Sequence, residues 1–131
     1  MAKRSPRTEL PPLSDAQLEI MDLVWQRGEV TVGEIWKTLV ERRRVARNTV
    51  LTLMERLEKK GWLRRRADGH VFRYVAAVQR DVTLRMLVRR MVDTAFGGSA
   101  EGLVLALLED GGVTRDEAQR IRQMIERARK K

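Results

Sequence analysis

Residues 45–61 read V-A-R-N-T-V-L-T-L-M-E-R-L-E-K-K-G, and their spacing decides the fold. Val50, Leu53, Met54 and Leu57 recur at i, i+3, i+4 and i+7, which puts them on one face of a helix and makes that face core. The opposite side of the N-terminal half carries Asn48, Leu51 and Thr52, with Arg47 and Thr49 at its flank and Arg56 and Lys59 further along. Such a face, polar, basic and short-chained, suits a helix inserted into a nucleic-acid groove. Gly61 stops the helix. Two β-like runs follow, 62–66 and 71–75, joined through Ala67-Asp68-Gly69-His70, a hairpin signal built on Asp-Gly. A helix followed by a hairpin with an arginine-loaded first strand reads as a recognition helix and a wing.

Working back from this stretch, Ser14 with Gln17 three residues on forms a reciprocal helix cap, and Thr31 with Glu34 repeats it. The first helix carries the stripe Leu18, Met21, Val24 and Trp25 and ends at Gly28; the second carries Val32, Ile35, Trp36, Leu39 and Val40. Val30 pairs briefly as a strand. Trp25 and Trp36 lie on apolar stripes, which assigns them to the core and not to base stacking. The run E-R-R-R at 41–44 ends the second helix, where cations favour the negative end of the helix dipole. The same position sets Arg43 and Arg44 beside a phosphate strand, and the two readings are compatible.

Alternation along the hairpin puts Phe72 and Tyr74 on one face, taken as core, and Arg73 on the other with Val71 and Val75. Arg64 and Arg66 share one side, opposite Leu63 and Arg65. Three successive arginines beside a tight turn make a finger for phosphates or a minor groove, with Arg64 and Arg66 as its contacts. The competing role is charge protection of a strand edge. His70 is the only histidine and has no second ligand to bind a metal with.

Beyond the hairpin the pattern becomes helical. Leu84, Leu87, Val88, Met91, Val92 and Ala95 form a stripe ended by Gly97-Gly98. Leu103, Val104, Leu105, Leu107 and Leu108 leave the next helix apolar nearly all round, so it must be buried on every side. A chain this short offers too little of its own surface for that, which favours an intersubunit core over the central helix of a monomeric bundle. The last helix, capped by Thr114 with Glu117, adds Ile121, Met124 and Ile125. The expected dimer core is Leu84, Leu87, Val88, Met91, Leu103, Val104, Leu107, Leu108, Ile121 and Ile125. The fold class is mainly α with a small β-hairpin: a mobile basic arm over 1–12, a winged helix-turn-helix DNA-binding domain over 13–77, and a helical dimerisation domain over 78–131.

Composition agrees. Over 131 residues the formal charge is +9, which suits a polyanion, although ribosomal proteins and membrane-surface binders are basic too. There is no cysteine, which removes disulfides, thiolate chemistry and cysteine-bound zinc. No apolar run approaches the roughly 20 residues of a membrane span and no secretion signal is visible, so the expected compartment is the cytoplasm. With scattered carboxylates and no paired nucleophile and base, the reading is not an enzyme, and neither cofactor nor metal is expected.

The chain resembles the penicillinase-repressor family of bacterial transcriptional regulators. The resemblance is carried by L-S-D-A-Q-L-E-I-M-D-L-V-W at 13–25, T-V-L-T-L-M-E-R-L-E-K-K-G-W-L at 49–63, V-F-R-Y at 71–74, G-G-S-A-E-G-L-V-L at 97–105 and T-R-D-E-A-Q-R-I-R at 114–122. It implies a homodimer that represses transcription from an inverted-repeat DNA operator, and it puts the DNA-contacting helix residues on Asn48, Thr49, Leu51, Thr52 and Arg56. Chemistry agrees: Asn48 can bond adenine in two places, Thr52 can reach a base edge, and Leu51 can lie on a thymine methyl. Leu51 replaces a polar or basic residue of some members. Ala46 and Arg47 stand where some members have a capping Ser-Pro, leaving out a cap typically worth ~1 kcal/mol. The resemblance to the family's antibiotic-responsive members implies a sensor protease as a further partner, since those members are derepressed by cleavage in the penultimate helix; there this chain has Ala106 and Leu107 in place of the Asn-Phe pair of known targets. Copper-responsive relatives have a cysteine-rich tail that is absent here. The competing function is a winged-helix module gripping protein or RNA.

Overall fold

A computed structural model describes residues 10–130. Its elements are α1 (Asp15–Arg27), β1 (Glu29–Val30), α2 (Val32–Arg42), α3 (Arg47–Lys59), β2 (Leu63–Asp68), β3 (Val71–Ala76), α4 (Arg80–Ala95), α5 (Ala100–Glu109) and α6 (Arg115–Arg129). Two compact units make up the chain, Met1–Met86 and Leu87–Lys131, and the division falls inside α4. The boundary expected from sequence lay at 77/78. Val78 packs against the core of the first unit, and its carbonyl accepts a hydrogen bond from Trp25 Nε1 at 3.0 Å, which ties the segment after β3 to α1.

In the first unit α1 and α2 open with complete capping boxes, Ser14 with Gln17 and Thr31 with Glu34. The three strands form one antiparallel sheet in the order β1-β3-β2. The core joins Ile20, Met21, Leu23 and Val24 of α1 to Ile35 and Leu39 of α2, Val50, Met54 and Leu57 of α3, and Leu63 and Tyr74 of the hairpin. Because α1 touches α3 as well as β1 and β3, its buried arc is wider than one stripe. Ile20 and Leu23 are therefore buried, while Leu18 and Trp25 of the expected stripe are half-covered. Val40, also expected in the core, is 42% exposed at the end of α2. Trp25 and Trp36 both pack against the core, and Trp36 Nε1 donates to the carbonyl of Val45 at 3.0 Å, as a covered indole requires.

Two glycines set turns. Gly61 adopts φ +92° after α3, a left-handed conformation that side chains resist, and lets Trp62 N–H return to the carbonyl of Leu57. Gly69 adopts φ +63° while His70 does not become positive, which matches a type II′ turn of two residues. The strands thus reach the turn, pairing Ala67 with Phe72 and Asp68 with Val71, where a four-residue link was expected. Of the arm expected over 1–12, residues 1–9 lie outside the described residues. The remainder is held: Leu10 packs against the core and the carbonyl of Pro11 accepts from Trp62 Nε1 at 3.1 Å.

The second unit consists of the end of α4 with α5 and α6. Ser99 and Thr114 cap α5 and α6 by accepting from the amides of Gly102 and Glu117. Val92 is buried, but Val88, Met91, Val104, Leu107, Leu108, Ile121 and Ile125 are between 37% and 54% exposed in the single chain. Leu87 and Leu103 are half-buried, as is Leu84 in the first unit. Ala106 and Leu107 lie within α5. No single helix among the described residues is long and apolar enough to cross a membrane.

Candidate nucleic-acid interface

The periodicity of α3 has a direct three-dimensional result. Val50, Met54 and Leu57 have no accessible surface, so the helix is anchored along one side. Arg47, Asn48, Thr49, Thr52 and Arg56 are all exposed on the remainder of the helix. Leu51 is half-buried and packs against the core rim, so only part of its side chain is on offer. The helix starts at Ala46 without a side-chain cap, which leaves its first amides for water or an incoming anion.

The loop before α3 is shaped by α1. Glu19 accepts from Arg42 Nη1 at 2.9 Å, and its other oxygen lies 2.7 Å from Arg43 Nη1. Partial burial opposes ionisation of Glu19, but the hydrogen bonds from Arg42 and Arg43 outweigh it and hold the carboxyl below its ordinary range. Arg43, expected on a phosphate, is therefore engaged by a carboxylate within its own fold. Arg44 is exposed and makes no ion pair among the described residues.

A similar sorting occurs on the hairpin. Arg66, the second expected wing contact, donates through Nε and Nη2 to both oxygens of Glu29 on β1, at 3.0 and 2.8 Å. Arg73 Nε donates to Asp68 at 2.6 Å. These hydrogen bonds hold the Glu29 and Asp68 carboxyls below their usual values. Arg64 is exposed without a carboxylate partner among the described residues. Arg65 was not assigned a contact in the sequence; its guanidinium carbon sits 4.2 Å from the centroid of the Phe72 ring. The register holds the signal, because Arg65 pairs with Tyr74 and Ala67 with Phe72, so Arg65 and Phe72 are diagonal neighbours on one face. That face buries Tyr74 but leaves Phe72 45% exposed, which corrects its assignment to the core.

Arg44, Arg47, Arg56, Lys59, Arg64 and Arg65 are exposed without a carboxylate partner among the described residues, Arg64 and Arg65 on opposite faces of β2, and the exposed groups of α3 include the amide of Asn48 and the hydroxyls of Thr49 and Thr52. Charge that tracks a polyanion and short polar groups that address its bases are thereby combined.

Compared with known families, residues 13–127 match the model described as penicillinase repressor. The penicillinase repressor of Bacillus licheniformis is 26% identical over 118 residues, covering 90% of this chain and 92% of that protein. Among solved structures, the DNA-binding domain of the repressor BlaI, determined in solution, superposes with a TM-score of 0.51 at 32% identity, covering 55% of this chain and 88% of that one. The oxidised form of MarR from E. coli shares the fold over 88% of this chain and 75% of its own, with a TM-score of 0.51 and 16% identity.

Proposed function

The chain belongs to the penicillinase repressor family, and we propose that it is a sequence-specific DNA-binding transcriptional repressor that occupies an inverted-repeat operator as a homodimer. One observation carries the reading: α3 is fixed by three wholly buried side chains and turns Asn48, Thr49, Thr52 and Arg56 outward. In the major groove Asn48 can bond adenine in two places, Thr52 can reach a base edge, and the exposed part of Leu51 can meet a thymine methyl. Arg47 and Thr49 lie where the helix start meets the backbone, and Arg44, Arg64 and Arg65 supply further phosphate contacts. Arg43 and Arg66 act one step back, through their carboxylate partners.

Residues 13–77 serve as the DNA-binding winged helix and 78–131 carry dimerisation, with Val78 and the start of α4 packed as part of the first unit. The apolar side chains left exposed on α4, α5 and α6 support pairing with a second copy, since a monomer rarely leaves so many large apolar side chains of three successive helices in water. Two recognition helices then face half-sites about 34 Å apart or a multiple of it, and occupancy excludes the polymerase. Nothing in this action is catalytic, and its target puts the protein in the cytoplasm.

The test is binding to duplexes selected from the organism's own DNA, followed by fluorescence anisotropy across salt. If each protomer neutralises about 3 to 5 phosphates, log K falls against log salt with a slope of about −5 to −9 for the dimer. A slope near zero, or no preference for any palindrome over random duplex, overturns the reading.

A further inference from the structure

Within the first unit, α1 and the start of α4 line an open cleft of about 410 Å³, to which Leu18, Trp25 and Leu84 contribute the apolar surface. We propose that this cleft binds a small organic cation, its apolar body on those three side chains and its charge toward the carboxylates of Asp15 and Asp22. No lining residue belongs to α2, α3 or the hairpin, so the site is separate from the nucleic-acid interface and does not rest on the repressor reading.

The wall on α1 is one helical stripe. Asp15, Leu18, Asp22 and Trp25 follow one another at three- and four-residue steps, off the line of Ile20, Leu23 and Val24 that enters the core. Leu18, Trp25 and Leu84 are half-buried, which gives the cleft its apolar floor. The one polar atom of Trp25 is already used, since Nε1 donates to the carbonyl of Val78 at 3.0 Å. What the indole offers an occupant is ring surface, which attracts cations. Charge is sorted around this floor. Glu19 lines the cleft, but Arg42 and Arg43 engage its two oxygens. Arg80 lines it too and pairs with Asp81, outside the lining, at 3.2 Å. Among the described residues Asp15 makes no ion pair, and Asp22 accepts only a neutral hydrogen bond, from Gln26 Nε2 at 2.8 Å. The uncompensated charge of the cleft is therefore negative, in a chain whose formal charge is +9. Such a lining repels phosphate and selects a cation. Size selects a small one, because the volume falls within the ~300–1,000 Å³ of small-molecule sites. An occupant touches α1 and α4 together, and α4 runs on past the division at 86/87, so occupancy braces the start of the helix that leads into the second unit.

The test uses benzyltrimethylammonium, an aromatic ring with a fixed positive charge, and hydrocinnamate as an anionic counterpart of similar size. Titrated into the isotope-labelled full-length protein without DNA, the cation should give saturable NMR shifts at the indole N–H of Trp25 and the amides of Leu18, Asp22 and Leu84. The amides of Asn48, Thr49 and Thr52 should stay in place, and hydrocinnamate should move neither set. Asp15→Asn with Asp22→Asn should weaken the cation by about fivefold, as for two partly exposed charge contacts. Leu18→Lys, which sets a rival cation on the floor, should abolish the saturable shifts, with an unchanged dispersion of the remaining amides confirming the fold. Absence of saturable shifts, shifts spread over the whole surface, or equal binding of the anion overturns the site. Wild-type affinity in the double asparagine variant overturns recognition of the charge, and saturable shifts that persist in Leu18→Lys overturn the apolar floor. Because no duplex is present, each of these failures leaves the repressor reading standing.

Discussion

Arg66 on β2 grips both carboxylate oxygens of Glu29 on β1, at 3.0 and 2.8 Å, and so spans β3, the middle strand of the sheet. The pair ties the outer strand of the hairpin to β1 and removes one of three consecutive arginines from the set available to DNA. Arg64→Ala should therefore reduce the salt slope by about one per protomer and weaken binding to every duplex, whereas Arg66→Ala should leave the slope nearly unchanged. Anisotropy titrations of both variants over the same salt range check this; equal slope losses would place Arg66 on phosphate.

Glu19 gives a pH dependence whose sign is determined by its partners. Its folded carboxyl lies below the ordinary 4.5, through the hydrogen bonds from Arg42 and Arg43 that overcome its burial. The stability this adds is fully present above the ordinary value and lost as pH falls through the depressed folded one. Thermal melts from about pH 6 to about pH 3 should show Tm falling below the ordinary carboxylate value, with a shallower fall in Glu19→Gln.

The start of α3 lacks a cap although its geometry would accept one. Ala46 sits at φ −79° and ψ 146°, the extended conformation of an N-cap residue. Ala46→Ser should stabilise the protein by about 0.5–1 kcal/mol, seen as a higher midpoint in urea with an unchanged m-value.

The exposed side chains of α5 and α6 define a dimer test. Leu108 and Ile125 are 53% and 54% exposed in the single chain and play no part in the core of the first unit. Leu108→Glu with Ile125→Glu should raise the dimer dissociation constant at least about 30-fold, read by sedimentation equilibrium. The near-ultraviolet signal of the first unit's tryptophans should persist, because Trp25, Trp36 and Trp62 all belong to that unit.

Local periodicity made most of the architecture legible from the chain alone. The buried line of α3, both reciprocal caps, the hairpin and the outward placement of Asn48, Thr49, Thr52 and Arg56 follow from spacings of one to seven residues. Such spacings prescribe which way a side chain faces and say little about what it meets there. Arg66 finds Glu29 from 37 residues away, and Glu19 meets Arg42 and Arg43 only because α1 packs near the end of α2. Phe72 alternates in step with Tyr74 yet is 45% exposed where Tyr74 is buried, a difference that alternation alone does not encode. Which arginines remain available to a polyanion therefore depends on neighbours assembled by packing, for which no short-range pattern substitutes.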